Sequence, residues 1–266
     1  MDYVEFEYWF MRFVKRDFNL HYDRSRDPKQ LTFSELPTDM LGEVVEFLNP
    51  KERKIARKVS KTLCAAVDRQ KIDYNQIEVF IGSAEKITVA YNKDTIEYKG
   101  SPSGTIIDLR GYKKSIDNLN YVDLAFNDLA ISLKPSRILV KSLRVSIEEK
   151  SDVGVINRFL HFLQSIPTGF HVKETLIETA NTTLALSILS VLKPGTLETI
   201  EMFTAEGKAE NHERIVEMEQ FKQAKTVLLR RFGIFDPSYL QRFNGFRRFQ
   251  LVLNTVEPRD IYLLRE

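Results

Sequence analysis

Leu119–Asn127 (LNYVDLAFN) decides how the second half of this chain is read. Leu119, Val122 and Leu124 followed by Asn127 have the leucine-rich spacing of a short strand entering a turn. Phe246–Asn254 (FRRFQLVLN) repeats that spacing near the C-terminus. Looser copies lie between them: Val140-x-x-Leu143-x-Val145, Leu197-x-x-Ile200-x-Met202 and Ala224-x-x-Val227-x-Leu229. A further strand is expected over Val172–Glu178. Successive strands lie roughly 21 to 32 residues apart, overlapping the lengths of such repeats. Most gaps carry helical patterns. Ile156, Phe159, Leu160 and Leu163 form one stripe, Leu184, Ile188 and Leu192 another, and Ile215 with Met218 a third. Asp236-Pro237 and Glu257-Pro258 each place Pro at the start of a short further helix. Alternating strand and helix implies a parallel sheet. One repeat cannot bury its apolar face alone, so stacking is obligatory. The spacing therefore predicts a degenerate, leucine-rich-repeat-like α/β solenoid over 119–266, in preference to a single Rossmann-like layer.

If Leu143 and Val145 point into that core, Ser142, Arg144 and Ser146 point out across the sheet. The same alternation exposes Glu201 and Phe203, Leu228 and Arg230, and Arg248, Gln250 and Val252. A row mixing aromatic, apolar and charged groups suits a protein interface. Arg144, Glu201, Phe203, Leu228, Arg230, Arg248 and Gln250 are the candidate substrate-binding residues.

Working upstream, residues 76–118 change texture. Ile77-Val79-Ile81, Ile87-Val89-Tyr91 and Ile96-Tyr98 recur at period two, with Asn92-Lys93-Asp94 as a turn, so a short antiparallel β meander is predicted. Lys99–Thr105 (KGSPSGT) is expected to be a loop. Before it, Leu36–Asp68 reads as two amphipathic helices. Leu41, Val44, Val45 and Leu48 fall at i, i+3, i+4 and i+7 after Pro37. Asn49-Pro50-Lys51-Glu52 ends one helix and starts the next, with Asn49 as the cap. Ile55, Ala56, Val59, Leu63 and Ala66 then share a face, opposite Lys54, Arg57, Lys58 and Lys61. At the N-terminus, Phe6, Trp9, Phe10 and Phe13 predict one helix within residues 3 to 18, followed by a polar linker broken by Pro28.

The order Leu-Pro, an apolar helix ending in Leu-Asn-Pro, and a basic helix with Val-Ser-Lys-x-Leu resembles the F-box. That family is a three-helix docking element for the Skp adaptor of cullin–RING ubiquitin ligases. The resemblance implies that Leu36, Pro37, Leu41, Val44, Val45, Leu48, Val59 and Leu63 occupy its adaptor-facing or core positions. Ser60 and Leu63 stand where the family usually has Cys and Trp. With the aromatic helix, the Tyr22–Pro28 linker, the meander and the leucine-rich tail, the chain resembles nematode F-box proteins carrying an FTH domain. The resemblance divides it into an N-terminal helix and linker (1–30), an F-box (31–75), a meander and loop (76–118) and the FTH region (119–266). It implies that residues 1–30 are the remnant of a helix-turn-helix-like segment. It also implies a non-catalytic adaptor that joins Skp, and through it a cullin, to a protein substrate. The competing expectation is a non-ligase scaffold or DNA-associated protein using the N-terminal helix and the basic face.

Composition bounds these expectations. The 266 residues hold 39 Lys plus Arg against 37 Asp plus Glu, a net charge of +2. That balance argues against nucleic-acid binding driven by counterion release. One cysteine, Cys64, excludes an internal disulfide and a Cys-rich zinc site. The four histidines, His21, His161, His171 and His212, show no metal-ligand spacing, and no phosphate-loop motif occurs. No cofactor is expected. No apolar run approaches the roughly 18 residues of a membrane span, and no secretory signal is visible. A cytoplasmic or nuclear location is the expectation.

Overall fold

The computed structural model describes residues 3–19, 21, 36–48, 50–69, 72–133, 138–166, 169–204 and 212–264. Helix α1 (Tyr3–Val14) precedes three short helices, α2 (Thr38–Glu46), α3 (Pro50–Ala56) and α4 (Lys61–Arg69). Five strands follow: β1 (Ile72–Ile81), β2 (Lys86–Tyr91), β3 (Asp94–Ser101), β4 (Gly104–Leu109) and β5 (Tyr112–Asp117). Helix and strand then alternate through α5 (Tyr121–Leu133), β6 (Ile138–Ile147), α6 (Val153–Ser165), β7 (His171–Glu178), α7 (Thr182–Ser190) and β8 (Thr199–Phe203). The last part holds α8 (Glu219–Lys222), β9 (Thr226–Arg230), β10 (Ile234–Phe235), β11 (Arg248–Gln250) and β12 (Val252–Leu253). Turns of 3-10 helix occupy His212–Glu217, Pro237–Phe243 and Asp260–Leu264.

Ten of these strands make one mixed sheet, ordered β11-β9-β8-β7-β6-β1-β2-β3-β4-β5. β1 to β5 run antiparallel to one another. β1 also pairs with β6 in parallel, and β7, β8, β9 and β11 then add in parallel, in chain order. β1 thus joins the meander to the parallel half. The x-x spacing read from sequence falls in register across strands. Ile77, Leu143, Thr175, Ile200, Val227 and Phe249 stand opposite one another in adjacent strands. The first five are buried, and the Thr175 hydroxyl donates to the Leu143 carbonyl at 3.3 Å, satisfying the polar atom in that row.

Leu119–Asn127 is where the structure overturns the expectation of a strand. Val122, Ala125, Phe126 and Leu129 are buried at i, i+3, i+4 and i+7 on α5. Asn120 Oδ1 accepts from the Val122 N–H at 2.9 Å and starts the helix, while Leu119 is exposed. The same residues satisfy both periods, and only the helix buries Ala125 and Phe126. Phe126 then packs on Phe159 and Phe162 of α6, with ring centroids 5.4 Å away from each. The strand that heads the row is β1, where Tyr74, Ile77 and Val79 carry the spacing. The expected loop at Lys99–Thr105 also contracts: β3 continues to Ser101 and β4 starts at Gly104. A Cβ on Gly104 would lie 2.3 Å from the Ile116 carbonyl oxygen, so this close turn needs glycine.

The caps follow local sequence. Asp152 accepts from the Val155 N–H and Asn181 from the Leu184 N–H, each at 3.1 Å. Asp236 likewise caps the 3-10 turn that begins at Pro237.

Candidate protein-docking surfaces

The helices α2, α3 and α4 have a small core of their own. Leu41, Val45, Leu63, Ala66 and Val67 are buried together, with Leu36, Leu48 and Ala56 packed against them. The expected second helix is broken: α3 ends at Ala56 and α4 begins at Lys61. Ser60 Oγ accepts from the Leu63 N–H at 3.1 Å, which makes Ser60 the cap of a separate helix. Pro50 takes the first helical position of α3, and Asn49, the expected cap, lies outside the described residues. Arg53 closes the end of α2, its guanidinium donating to the carbonyls of Val45, Leu48 and Glu46 at 2.8 to 3.1 Å. Arg57 grips Asp68 through two hydrogen bonds of 2.7 and 3.1 Å, tying the end of α3 to α4 and raising the guanidinium pKa. Of the basic face, Arg57 is therefore turned inward, while Lys58 and Lys61 are exposed.

Burial sorts the predicted adaptor residues into two groups. Leu41, Val45 and Leu63 form the core, and Leu36 and Leu48 line it. Pro37, Val44 and Val59 are exposed. Met40 and Phe47, which the sequence reading passes over, join the exposed set with Ile55, which it places on one apolar face with the buried Leu63 and Ala66. Met40 is 50% exposed, Phe47 90% and Ile55 59%, beside Val44 at 41% and Val59 at 69%. Met40, Val44 and Phe47 fall at i, i+4 and i+7, a stripe next to the buried Leu41 and Val45 and the half-buried Leu48. That second stripe was the available signal. No part of the described chain covers these five side chains.

A second surface is the outer face of the parallel strands. The seven predicted substrate residues fall there on three adjoining rungs. Gln250, Leu228, Glu201 and Arg144 stand on one rung, which Leu176 and Glu78 complete. Arg230 and Phe203 share the next with Glu178, Ser146 and Phe80. Arg248 begins the third. Arg144, Arg230, Arg248 and Gln250 are exposed, Glu201 and Phe203 half-buried, and Leu228 buried. Arg230 reaches Glu201 at 3.3 Å and Arg144 reaches Glu78 at 3.4 Å. Exposed pairs of this kind contribute about 0–1 kcal/mol, so they shape the surface more than they stabilise it. Phe80, Glu78 and Leu176 are the members sequence reasoning missed, because register between distant strands carries no local signal.

At the carboxyl ends of β1, β6 and β7 lies a cleft of about 440 Å³, lined by Phe80, Ser146, Glu148, Glu149, Glu178 and Thr179. The Ser83 hydroxyl and N–H donate to Glu148 at 2.7 and 2.8 Å and hold its carboxyl below the usual range.

Other chemistry-bearing residues are dispersed. His161 is exposed, and His171 lies 3.3 Å from Lys193 Nζ. Cys64 is half-buried, with Sγ 3.7 Å from Asp68 Oδ2. Among the described residues no cluster of three His, Cys, Asp or Glu could hold a metal ion, and no helix is long and apolar enough to cross a membrane.

Comparison with known proteins gives two family matches. The F-box domain family matches residues 33–75, which includes α2 to α4, and the FTH domain family matches residues 154–266, which includes β7 to β12. The chain is similar to F-box A protein 224 of Caenorhabditis elegans. The two are 26% identical over 273 aligned positions, covering 98% of this chain and 70% of that relative. The chain therefore carries an F-box domain and, C-terminal to it, an FTH domain.

Proposed function

We propose that this chain is a substrate-recognition adaptor of a Skp–cullin–F-box ubiquitin ligase. The observation that carries the proposal is the uncovered stripe Met40, Val44 and Phe47, on an F-box with a separate core that also leaves Ile55 and Val59 exposed. A side chain as large as Phe47 at 90% exposure suits a site that a partner buries. Leu41, Val45 and Leu63 then act indirectly, by fixing the helices that present the stripe. The parallel strands, read as a short leucine-rich-repeat-like solenoid, would hold a protein substrate on their outer face, through Arg144, Glu201, Phe203, Arg230, Arg248 and Gln250. The chain supplies proximity, and the ligase's other subunits supply the chemistry. A cytoplasmic or nuclear site of action goes with this reading.

The test is a pull-down with purified Skp adaptor. Binding by the natural chain, and its loss in Val44→Asp/Phe47→Asp with an unchanged melting profile, is the expected result. Undiminished capture by that folded double variant would sink the docking role of the stripe.

A further inference from the structure

β5 is the long open edge of the sheet. Among the described residues it pairs only with β4, and five of its six residues are exposed. The opposite edge, β11, is three residues long. An open edge is a template for another strand, and the turn before β5 determines which backbone groups it offers. Arg110 and Gly111 both have positive φ, 53° and 88°, as a two-residue primed hairpin turn requires, and they close the pair Leu109–Tyr112. That closing pair exchanges both hydrogen bonds, and every second pair does the same. Tyr112, Lys114 and Ile116 therefore bond to β4. Lys113, Ser115 and Asp117 turn their N–H and C=O groups to the open side, and their side chains share the outer face. Lys113 reaches Asp108 only at 3.9 Å, and Asp117 is exposed.

We propose that β5 pairs antiparallel with β5 of a second copy of this chain, centred on Ser115, so that two sheets join about a two-fold axis. In that register Ser115 faces Ser115 of the second copy. Lys113 faces Asp117 of the second copy, and the symmetry repeats the pair. The three outward residues of each strand exchange six backbone hydrogen bonds. Neighbouring registers fail. A centre between residues sets inner-face side chains against outer-face ones. A centre on Lys114 sets that lysine against itself and removes Lys113 from Asp117. Lysines ordinarily blunt an edge against pairing. Here Asp117, on the same face as Lys113, converts repulsion into complementarity for one partner, an identical strand. Strand addition over six residues is a small interface, in the class of reversible complexes. A dimer formed this way carries two outer faces and engages a multivalent target more tightly than one copy.

Sedimentation velocity of the full chain over a dilution series tests the proposal. The average mass should rise with concentration from one chain to two and stop there, because pairing consumes both edges. Ser115→Pro should remain monomeric throughout: its N–H lies on the open side, so proline removes an intermolecular donor and leaves the β4–β5 ladder intact. Its circular dichroism should match the natural chain. Asp117→Lys should weaken the dimer on the order of tenfold, and adding Lys113→Asp should restore it. A monomer at every concentration, oligomers beyond two, a dimer indifferent to Ser115→Pro, or failure of the charge exchange to restore association would each overturn the proposal. Adaptor capture, read separately through Val44 and Phe47, is unaffected by any of these outcomes.

Discussion

Val45 and Phe47, two residues apart at the end of α2, have opposite fates: one is fully buried and the other 90% exposed. The contrast predicts different consequences of change. Leu63→Ala removes a side chain from the small core of α2 to α4 and should cost about 2–5 kcal/mol of that module's stability. Phe47→Asp should leave the same stability within about 0.5 kcal/mol. Hydrogen exchange of the helical amides separates the two. Burial also governs the tyrosines of the sheet. Tyr98 donates to Asp128 at 2.8 Å, and desolvation, then the nearby carboxylate, raises its phenol far above the ordinary value. Burial raises Tyr91 likewise and pushes Tyr74 up to about 12. Unfolded phenols ionise near pH ~10. Above that pH the unfolded chain holds fewer protons than the folded one, so stability is flat below it and falls as pH rises toward the folded values. Urea titrations between about pH 9 and 11 should show this decline, and Tyr98→Phe should make it shallower. At this scale the amphipathic helices were legible in sequence, but which apolar stripe faces inward was not.

At the scale of elements, α5 carries the main lesson. Leu119, Val122 and Leu124 fit a strand, and Val122, Ala125, Phe126 and Leu129 fit a helix, within the same residues. The helix prevails because Asn120 caps it and Phe126 finds Phe159 and Phe162 across the α5–α6 contact. Ala125 discriminates between the two readings. It is fully buried on α5, so Ala125→Leu should cost about 1–3 kcal/mol by overpacking, whereas an outward strand position would tolerate it. Asn120→Ala should cost about 1 kcal/mol through the lost cap. Denaturant midpoints measure both. The strands β6, β8 and β9 were legible because their x-x spacing coincides with burial, and β7 was expected over Val172–Glu178 as a further strand that fits the spacing less well. β1 was read as a strand of the meander, and its parallel edge against β6 was invisible because the partner follows only after β2 to β5 and α5.

For the whole molecule, the two separate cores predict two unfolding events. Leu41→Ala should lower the transition of the helical module and leave that of the sheet in place, as followed by tryptophan-independent probes such as far-ultraviolet circular dichroism and exchange. The sequence by itself determined the local components: the helical stripes at Ile156 to Leu163 and Leu184 to Leu192, the turn begun by Asp236, parallel strands with inward apolar triplets, and an F-box pattern recognisable from Leu36 onward. These are legible because capping and periodicity act over a few residues. Only the tertiary structure decided that Leu119–Asn127 is a helix, that β1 joins meander and parallel strands in one sheet, and that Met40, Val44 and Phe47 remain uncovered. Each outcome depends on which distant surface is available to bury a side chain, and burial free energy is a property of the assembled chain.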